Sequence, residues 1–303
     1  MRITRRQALL SGAATPLAAL PLTAAADGHV SAAPAPVHSD FNLGDFRVTT
    51  LLVGSRSVEE PQGIFGLNVD AETFESVSTD NFLQTDAAQF YFTPTVVNTG
   101  SEVILFDTGL NATGTTAALA AAGYAPDDIS HVVLTHMHGD HIGGLTDDAG
   151  ALTFTKAAYT TGQVEYDHWA KAENAAFNAK VLPLAEKMAF IGGGASIASG
   201  VTSVETFGHT PGHMGYMLES GGEQLMLIVD MTNHYVWSLA YPDWEVKFDM
   251  DKAAAAKTRR NVLGMLAADK VPFIGYHMPF PGLGYVGTRD DGFRYVPHSY
   301  QLL

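Results

Sequence analysis

The chain has 303 residues, 46% hydrophobic and 16% charged, a composition typical of a globular protein with a sizeable core. Asp and Glu number 32 against 17 Lys and Arg, and the resulting net charge of −15 disfavours binding to nucleic acid or to anionic lipid surfaces. The chain has no cysteine, which excludes disulfides, thiolate metal sites and cysteine nucleophiles. Any metal must therefore be held by His, Asp or Glu.

The N-terminus has the pattern of a cleaved export signal. A basic start is followed by a small, apolar stretch from Ala8 to Ala26. The Arg5-Arg6 pair is similar to a twin-arginine signal. Gly and Pro interrupt the apolar run, which argues against a lasting membrane anchor. We therefore expect a signal peptide of twin-arginine type over residues 1–26 and a periplasmic or secreted product.

Residues 27–43 are rich in Ala, Pro and Ser without apolar periodicity, which predicts a flexible tether. The folded domain is predicted over residues 44–303. Its first half begins with a strand at 46–53 and continues with a hairpin of strands 95–98 and 103–106. An Ala-rich helix is predicted over 115–122, where Gly123 ends it.

The second half predicts the same alternation of strands and helices. A buried strand over 131–135 leads directly into a group of histidines, and helices are expected within 162–190. A strand over 225–229 ends at Asp230, and a strand over 271–276 ends at His277. The helix between them is expected to begin near Asp249 or Asp251 and to end at Ala268. This order predicts a layered α/β (α+β) fold with its site along one sheet edge.

Four metal-binding side chains occur between His136 and His141. In an extended segment, side chains two apart point the same way, so His136 and His138 can hold one ion together. Because the chain turns after Gly139, Asp140 and His141 can reach a second ion. Imidazole and carboxylate suit zinc and similar divalent metals. This spacing after a buried strand predicts a metal site rather than a solvated polar loop.

The H-x-H-x-D-H segment, with Asp107-Thr108-Gly109 ahead of it, resembles the signature of the metallo-β-lactamase superfamily. The segment G-H-T-P-G-H resembles the third motif of that family; in it His213 is identified with a ligand of the first ion and His209 with a residue that organises the loop. Asp230 corresponds to the bridging carboxylate and His277 to the final ligand of the second ion. The resemblance covers roughly residues 44 to 300 and implies a four-layer αββα sandwich.

By that resemblance the chain binds two divalent metal ions, zinc by default, with manganese, cobalt or iron as alternatives. The implied reaction is hydrolysis by a hydroxide that bridges the ions, with Asp140 and Asp230 as catalytic carboxylates. Asp107 would either orient a ligand histidine or simply form a turn. The implied ligands are His136, His138 and His213 for the first ion, Asp140, His141 and His277 for the second, and Asp230 for both.

The segments 276–284 and 292–297 resemble methyl parathion hydrolase and related exported, lactonase-like members of the family. Those enzymes act on neutral, apolar esters, lactones or phosphotriesters, and aromatic walls suit such small molecules. The substrate pocket is therefore expected to contain five aromatic side chains, Tyr91, Phe92, Trp169, Phe177 and Phe280. A homodimer is expected by analogy with the same enzymes.

Other activities of the superfamily remain open: acyl-homoserine lactonase, β-lactamase and glyoxalase-II-like thioesterase. Acyl-homoserine lactonases place a tyrosine where this chain has Asn233, common zinc β-lactamases use a cysteine ligand, and glyoxalase-type enzymes use a basic patch that is sparse here. A mononuclear iron persulfide dioxygenase would leave His141 and His277 without a purpose. A non-catalytic metal-binding protein would not need the complete ligand set.

Overall fold

A computed structural model describes residues 37–299, and the predicted signal peptide lies outside the described residues. The tether prediction is wrong in its last part, because His38–Leu43 forms a strand that pairs antiparallel with Phe46–Leu51. Polar contacts hold this edge pair, since Asp40 accepts hydrogen bonds from Arg47 and Thr49 on the neighbouring strand. The strand was missed because it lacks apolar periodicity.

The first large sheet has seven strands. Its first four neighbouring strands pair antiparallel, and the last three additions are parallel. The hairpin predicted between residues 95 and 106 is confirmed. The spatial order is β1 (His38–Leu43), β2 (Phe46–Leu51), β5 (Thr95–Asn98), β6 (Val103–Phe106), β7 (His131–Leu134), β8 (Ala158–Gly162) and β9 (Met188–Ile191).

The second large sheet also has seven strands, and β13 and β14 are its one parallel pair. The spatial order is β10 (Ser196–Ala198), β11 (Val201–Glu205), β12 (Met214–Ser220), β13 (Glu223–Val229), β14 (Phe273–Gly275), β15 (Leu283–Arg289) and β16 (Gly292–Pro297). A separate two-stranded sheet pairs β3 (Gly54–Glu59) with β4 (Ala87–Phe92). Sequence patterning did not predict this hairpin, because β3 is mostly exposed and polar.

Side-chain caps set where several helices begin. Asn111 accepts a hydrogen bond from the amide of Gly114, so the predicted helix at 115–122 begins earlier, at Ala112. Asp251 caps the last helix in the same way, as predicted. The helices are α1 (Ala71–Asp80), α2 (Ala112–Ala121), α3 (Gly139–Ile142), α4 (Gln163–Trp169), α5 (Ala175–Lys180) and α6 (Lys252–Asp269), with 3₁₀ turns at Pro61–Gly63, Pro126–Asp128, Gly143–Leu145 and Leu182–Lys187. Within residues 37–299, no helix is both long and apolar enough to cross a membrane.

The two large sheets pack face to face, and helices cover their outer faces. Alternation along β6 illustrates this, since Ile104 and Phe106 enter the core between the sheets whereas Leu105 enters the core under α2. On β13, Leu227 points inward whereas Ile228 packs in the core that includes α6. The predicted four-layer αββα sandwich is confirmed. Each fully buried side chain of this size contributes about 1.5–3 kcal/mol.

Candidate metal centre

The candidate site lies at the edge of the sandwich where strands of both sheets end. The loop after β7 carries His136, and the loop between β11 and β12 carries His209. Asp230 follows β13 and His277 lies just beyond β14, its parallel neighbour. Parallel strands end at the same sheet edge, so these two residues meet although they are distant in sequence.

The first cluster consists of His136, His138, His209 and Asp230. His138 Nδ1 lies 3.1 Å from His136 Nε2 and 3.0 Å from His209 Nε2, which is 3.4 Å from Asp230 Oδ2. Four ligand atoms arranged tetrahedrally around a divalent ion at its usual bond lengths are about 3.3–3.5 Å apart. The cluster therefore has the size of a site for a single ion.

The second cluster consists of Asp140, His141 and His277. Asp140 Oδ2 lies 3.6 Å from His141 Nε2 and 3.4 Å from His277 Nε2. Asp230 also reaches this cluster, with Oδ1 at 3.4 Å from His141 Nε2 and Oδ2 at 3.1 Å from His277 Nε2. The carboxylate of Asp230 thus lies between the two clusters, at the position expected for a bridging ligand.

Two buried atoms indicate that this donor set fits metal ions. His141 Nε2 and Asp230 Oδ1 have no hydrogen-bond partner although each is buried. A buried polar atom without a partner is costly, and both atoms face the space between the clusters. A divalent ion at that position would satisfy both. The remaining donors are imidazole and carboxylate, which suit zinc or a similar ion.

The two clusters differ in protonation when no metal is bound. Burial opposes the charged form of His277, but Asp230 and Asp140 beside it raise its pKa to about 10. Burial likewise opposes protonation of His141, and the same two carboxylates together with Asp107 raise its pKa well above the ordinary value. In the first cluster burial dominates and lowers the pKa of His138 to about 3. Metal binding at the second cluster is therefore expected to displace protons, whereas burial, which lowers the pKa of His136 and His138, favours the neutral imidazole of these two residues.

The structure groups His209, rather than the predicted ligand His213, with His136, His138 and Asp230. His213 remains the ligand that the family resemblance implies. His213 Nε2 accepts the backbone amide of Asp230 at 3.2 Å, and Nδ1 lies 2.8 Å from the hydroxyl of Thr206. Both ring nitrogens are therefore committed to hydrogen bonds. His209 instead turns Nε2 toward the cluster, and its Nδ1 lies 3.1 Å from Asp249. The motif offers two histidines, and Asp249, distant in sequence, contacts His209.

Two carboxylates outside the clusters orient the ligands. Asp107 lies 2.8 Å from His141 Nδ1 and also accepts the backbone amide and hydroxyl of Thr135. Of the two roles considered for Asp107, orientation of a ligand is the one that these contacts support. Asp249 holds His209 and is itself paired with the fully buried Arg259, whose Nη1 lies 2.7 Å from its carboxylate.

A cavity of about 340 Å³ opens above the clusters, a size that suits a small organic ligand. Its floor includes His138, Asp140, His209, Asp230 and His277, and Arg56 is the one Lys or Arg among its lining residues. The walls are apolar: Val58, Phe90, Phe92, Leu110 and Phe248.

Of the five aromatic residues predicted to line the pocket, only Phe92 does so. Tyr91 alternates to the opposite side of β4, and its carbonyl accepts a hydrogen bond from His277 Nδ1. Phe177 is fully buried in the core under α4 and α5, and Phe280 does not line the cavity. Trp169 is buried beside the site, with its ring centroid 5.9 Å from that of His138 and the two rings nearly perpendicular, but it too is absent from the cavity wall.

Comparisons with known proteins agree on the family and on the fold. The family model described as the metallo-β-lactamase superfamily matches residues 93–271. An N-acyl homoserine lactonase of Bacillus cereus is 28% identical over 115 residues, 36% of this chain and 41% of that protein. One from Bacillus thuringiensis is 31% identical over 102 residues, 34% of this chain and 38% of that protein. The matched segment thus spans about two fifths of these relatives.

Solved structures match over a longer part of the chain. AidC, described as a dizinc quorum-quenching lactonase in complex with a product, is 26% identical with a TM-score of 0.79, covering 87% of this chain and 98% of that one. The hydrolase AbOPH shares the fold at 23% identity, with a TM-score of 0.80 and the same coverage. Motifs, fold and family model agree, and the chain belongs to the metallo-β-lactamase superfamily.

Proposed function

We propose that the protein is a metal-dependent hydrolase of lactones and related neutral esters with apolar substituents, and that N-acyl homoserine lactones are its first substrate class to test. The observation that carries the proposal is a pair of His/Asp clusters that share Asp230 at the floor of an apolar cavity. The curated relatives matched over part of the chain are N-acyl homoserine lactonases. Their activity supports the choice of a lactone.

In this proposal the first ion is held by His136, His138 and His209, and the second by Asp140, His141 and His277, with Asp230 contacting both. Bound there, two divalent ions would polarise the substrate carbonyl and make water a stronger nucleophile at neutral pH.

The chain's own residues do the remaining work. Asp140 has the most accessible carboxylate of the floor, 23% exposed, and its pKa is lowered to about 2; burial opposes this, but the neighbouring imidazoles of His141 and His277 outweigh it. It is therefore ionised at neutral pH, and in this proposal an oxygen of its carboxylate would accept the proton of the attacking water and pass it to the leaving alcohol. Phe92 and Leu110 exclude solvent around the apolar part of the substrate.

Asn233 stands where the family resemblance places a tyrosine of acyl-homoserine lactonases. It is buried, and its amide donates a 3.2 Å hydrogen bond to Asp230 instead of lining the cavity. Within residues 37–299 no tyrosine lines the cavity, so the substrate carbonyl would be oriented by the floor or by Arg56. We therefore propose that substrate affinity depends more on the apolar portion of the substrate than on its polar head.

The test combines metal analysis of the purified protein with hydrolysis of an acyl-homoserine lactone, a γ-lactone, an aryl ester, paraoxon and a cephalosporin, with and without a chelator. Two divalent ions per chain and chelator-sensitive hydrolysis fastest on lactones would support the proposal. Fastest turnover of paraoxon or the cephalosporin would reassign the substrate class. A single iron ion without hydrolysis would contradict the two-ion site.

The ligand assignment has its own test in two histidine variants. His209→Ala should reduce the bound metal from two ions to one. The control is His168→Ala, which should leave both ions bound because His168 is a half-buried residue of α4 outside both clusters. His213→Ala distinguishes the two histidines of the motif. If His213→Ala loses an ion while His209→Ala retains both, the original prediction from the sequence is restored.

We also propose, from the sequence alone, that residues 1–26 direct export. Replacing Arg5 and Arg6 together with lysine should retain the protein in the cytoplasm of a host that has a twin-arginine pathway. Cell fractionation measures this, and undiminished periplasmic protein would leave the general export route as the explanation.

A further inference from the structure

Glu165 on α4 is a buried carboxylate that takes no part in either cluster. Its side chain is fully buried, and no Lys, Arg or His in the described chain forms an ion pair with it. Four hydrogen-bond donors surround it instead. Oε1 accepts from the Met137 amide at 3.0 Å and the Trp169 indole at 2.7 Å, and Oε2 accepts from the Thr210 hydroxyl at 2.7 Å and the Gly212 amide at 2.9 Å.

These donors come from the two loops that carry the histidines of the first cluster. Met137 lies between His136 and His138, so one carboxylate oxygen holds the loop after β7. Thr210 and Gly212 lie in the loop that begins with His209, so the other oxygen holds the loop between β11 and β12. The two loops have no sequence proximity. Glu165 is a direct bridge between them.

Close backbone packing supports the bridge. A Cβ added to Gly212 would lie 2.1 Å from the backbone nitrogen of Glu165, so only glycine allows the loop to reach α4. Trp169, which donates to Glu165, also places its ring edge against His138. Both loops therefore pack against the same turn of α4.

We infer that Glu165 is a positioning residue that fixes the distance between the two ligand loops and thereby sets the affinity of the first metal site. The inference rests on the proposed metal site. It assigns to the first cluster a support comparable to that of Asp107, which orients His141 of the second cluster. Supports of this kind typically change metal affinity by about 10–100-fold when removed.

An isosteric amide tests the inference because it cannot accept four hydrogen bonds. In Glu165→Gln the amide nitrogen must face one pair of donors. The Thr210 hydroxyl can rotate to accept, whereas the amides of Met137 and Gly212 and the indole of Trp169 cannot. The NH₂ group should therefore turn to Thr210 and release the Gly212 amide, which frees the loop that carries His209.

The experiment compares Glu165→Gln with Asp107→Asn and with Glu186→Gln, an exposed carboxylate as control. Each metal-free protein is titrated with Co²⁺ against a competing chelator while the visible absorption spectrum is recorded. Spectra of His209→Ala and His277→Ala assign the bands to the first and second site. We expect Glu165→Gln to weaken the first site at least about tenfold and shift its bands, Asp107→Asn to do so at the second site, and Glu186→Gln to change neither.

Two results would overturn the inference. Unchanged Co²⁺ affinity and spectrum at the first site would remove the positioning role, and equal weakening of both sites with a lower melting temperature of the metal-free protein would make Glu165 a general stabiliser. If Glu165→Gln does not fold, Thr210→Val removes one donor only and should weaken the first site alone, by a smaller factor. A parent protein that binds fewer than two Co²⁺ ions would instead refute the proposed function.

Discussion

The floor and the wall of the cavity are built in different ways. The floor ligands follow strands of the two large sheets and are mostly buried, and several are held by a further polar group, as His141 is by Asp107 and His209 by Asp249. The wall comes largely from the two-stranded sheet β3–β4 and from loops, and includes half-exposed apolar side chains such as Leu110 and Phe248. This contrast indicates that the metal chemistry is fixed by the core, whereas substrate choice depends on parts that can change without unfolding it.

Among the floor residues, Asp230→Ala should have the largest effect, since Asp230 contacts both clusters. We expect loss of the two-ion site and a fall in kcat/KM of about 10³-fold or more, because the charge stabilisation of the reacting groups is lost. Metal analysis and lactone kinetics measure both effects. Asn233→Ala, which removes only the hydrogen bond to Asp230, is the matched control and should retain both ions. Full activity of Asp230→Ala would refute the site.

Removing the metals should destabilise the floor without altering the wall. Ions that bind only the folded state stabilise it by about 2.7 kcal/mol at a concentration 100 times their Kd. A chelator should therefore lower the melting temperature by several degrees, and added Zn²⁺ should restore it. The Phe248→Ala variant should show the same shift as the parent protein. An unchanged melting temperature would mean that the clusters do not bind metal when folded.

Breaking the wall should change KM and leave the metals in place. Phe248 is 39% exposed, so Phe248→Ala should cost little stability yet remove part of the apolar contact with the substrate. We expect KM for a long-chain lactone to rise by about tenfold, equivalent to roughly 1.4 kcal/mol of lost apolar burial, with kcat nearly constant. Phe82→Ala is the control, because Phe82 is 98% exposed and does not line the cavity. A fall in kcat alone would place Phe248 in the chemistry.

Arg56 lies at the rim of the cavity, and its substitution should have the smallest effect of these changes. It is exposed and forms no ion pair within residues 37–299, so its charge is screened by salt. Arg56→Gln should raise KM a few-fold for a lactone with an anionic tail, at low ionic strength, and leave neutral lactones unchanged. Arg56→Lys should keep the parent's preference. Equal changes for both lactones would indicate shape rather than charge.

The floor was largely predictable from the sequence, and the wall was not. Six of the seven residues in the two clusters are residues that the family resemblance, drawn from short motifs after apolar strands, implied as ligands. Asp249 beside His209 and the Asp230 amide beside His213 are brought near the third motif only by folding. The prediction of the wall residues failed for two reasons. Aromatic residues are equally suited to a core, as Phe177 shows, and β3 carries no apolar pattern.

Phe248 and Asp249 are neighbours in the chain, yet one contributes to the wall and the other supports His209 behind the floor. Backbone hydrogen bonds tie this segment at Lys247 to Ile64 and at Met250 to His209. A change that shifts the segment to admit a bulkier substrate would therefore also move the support of a metal ligand. Evolution of a new specificity at this point must be coupled to metal affinity, whereas changes on β3 are free of that constraint.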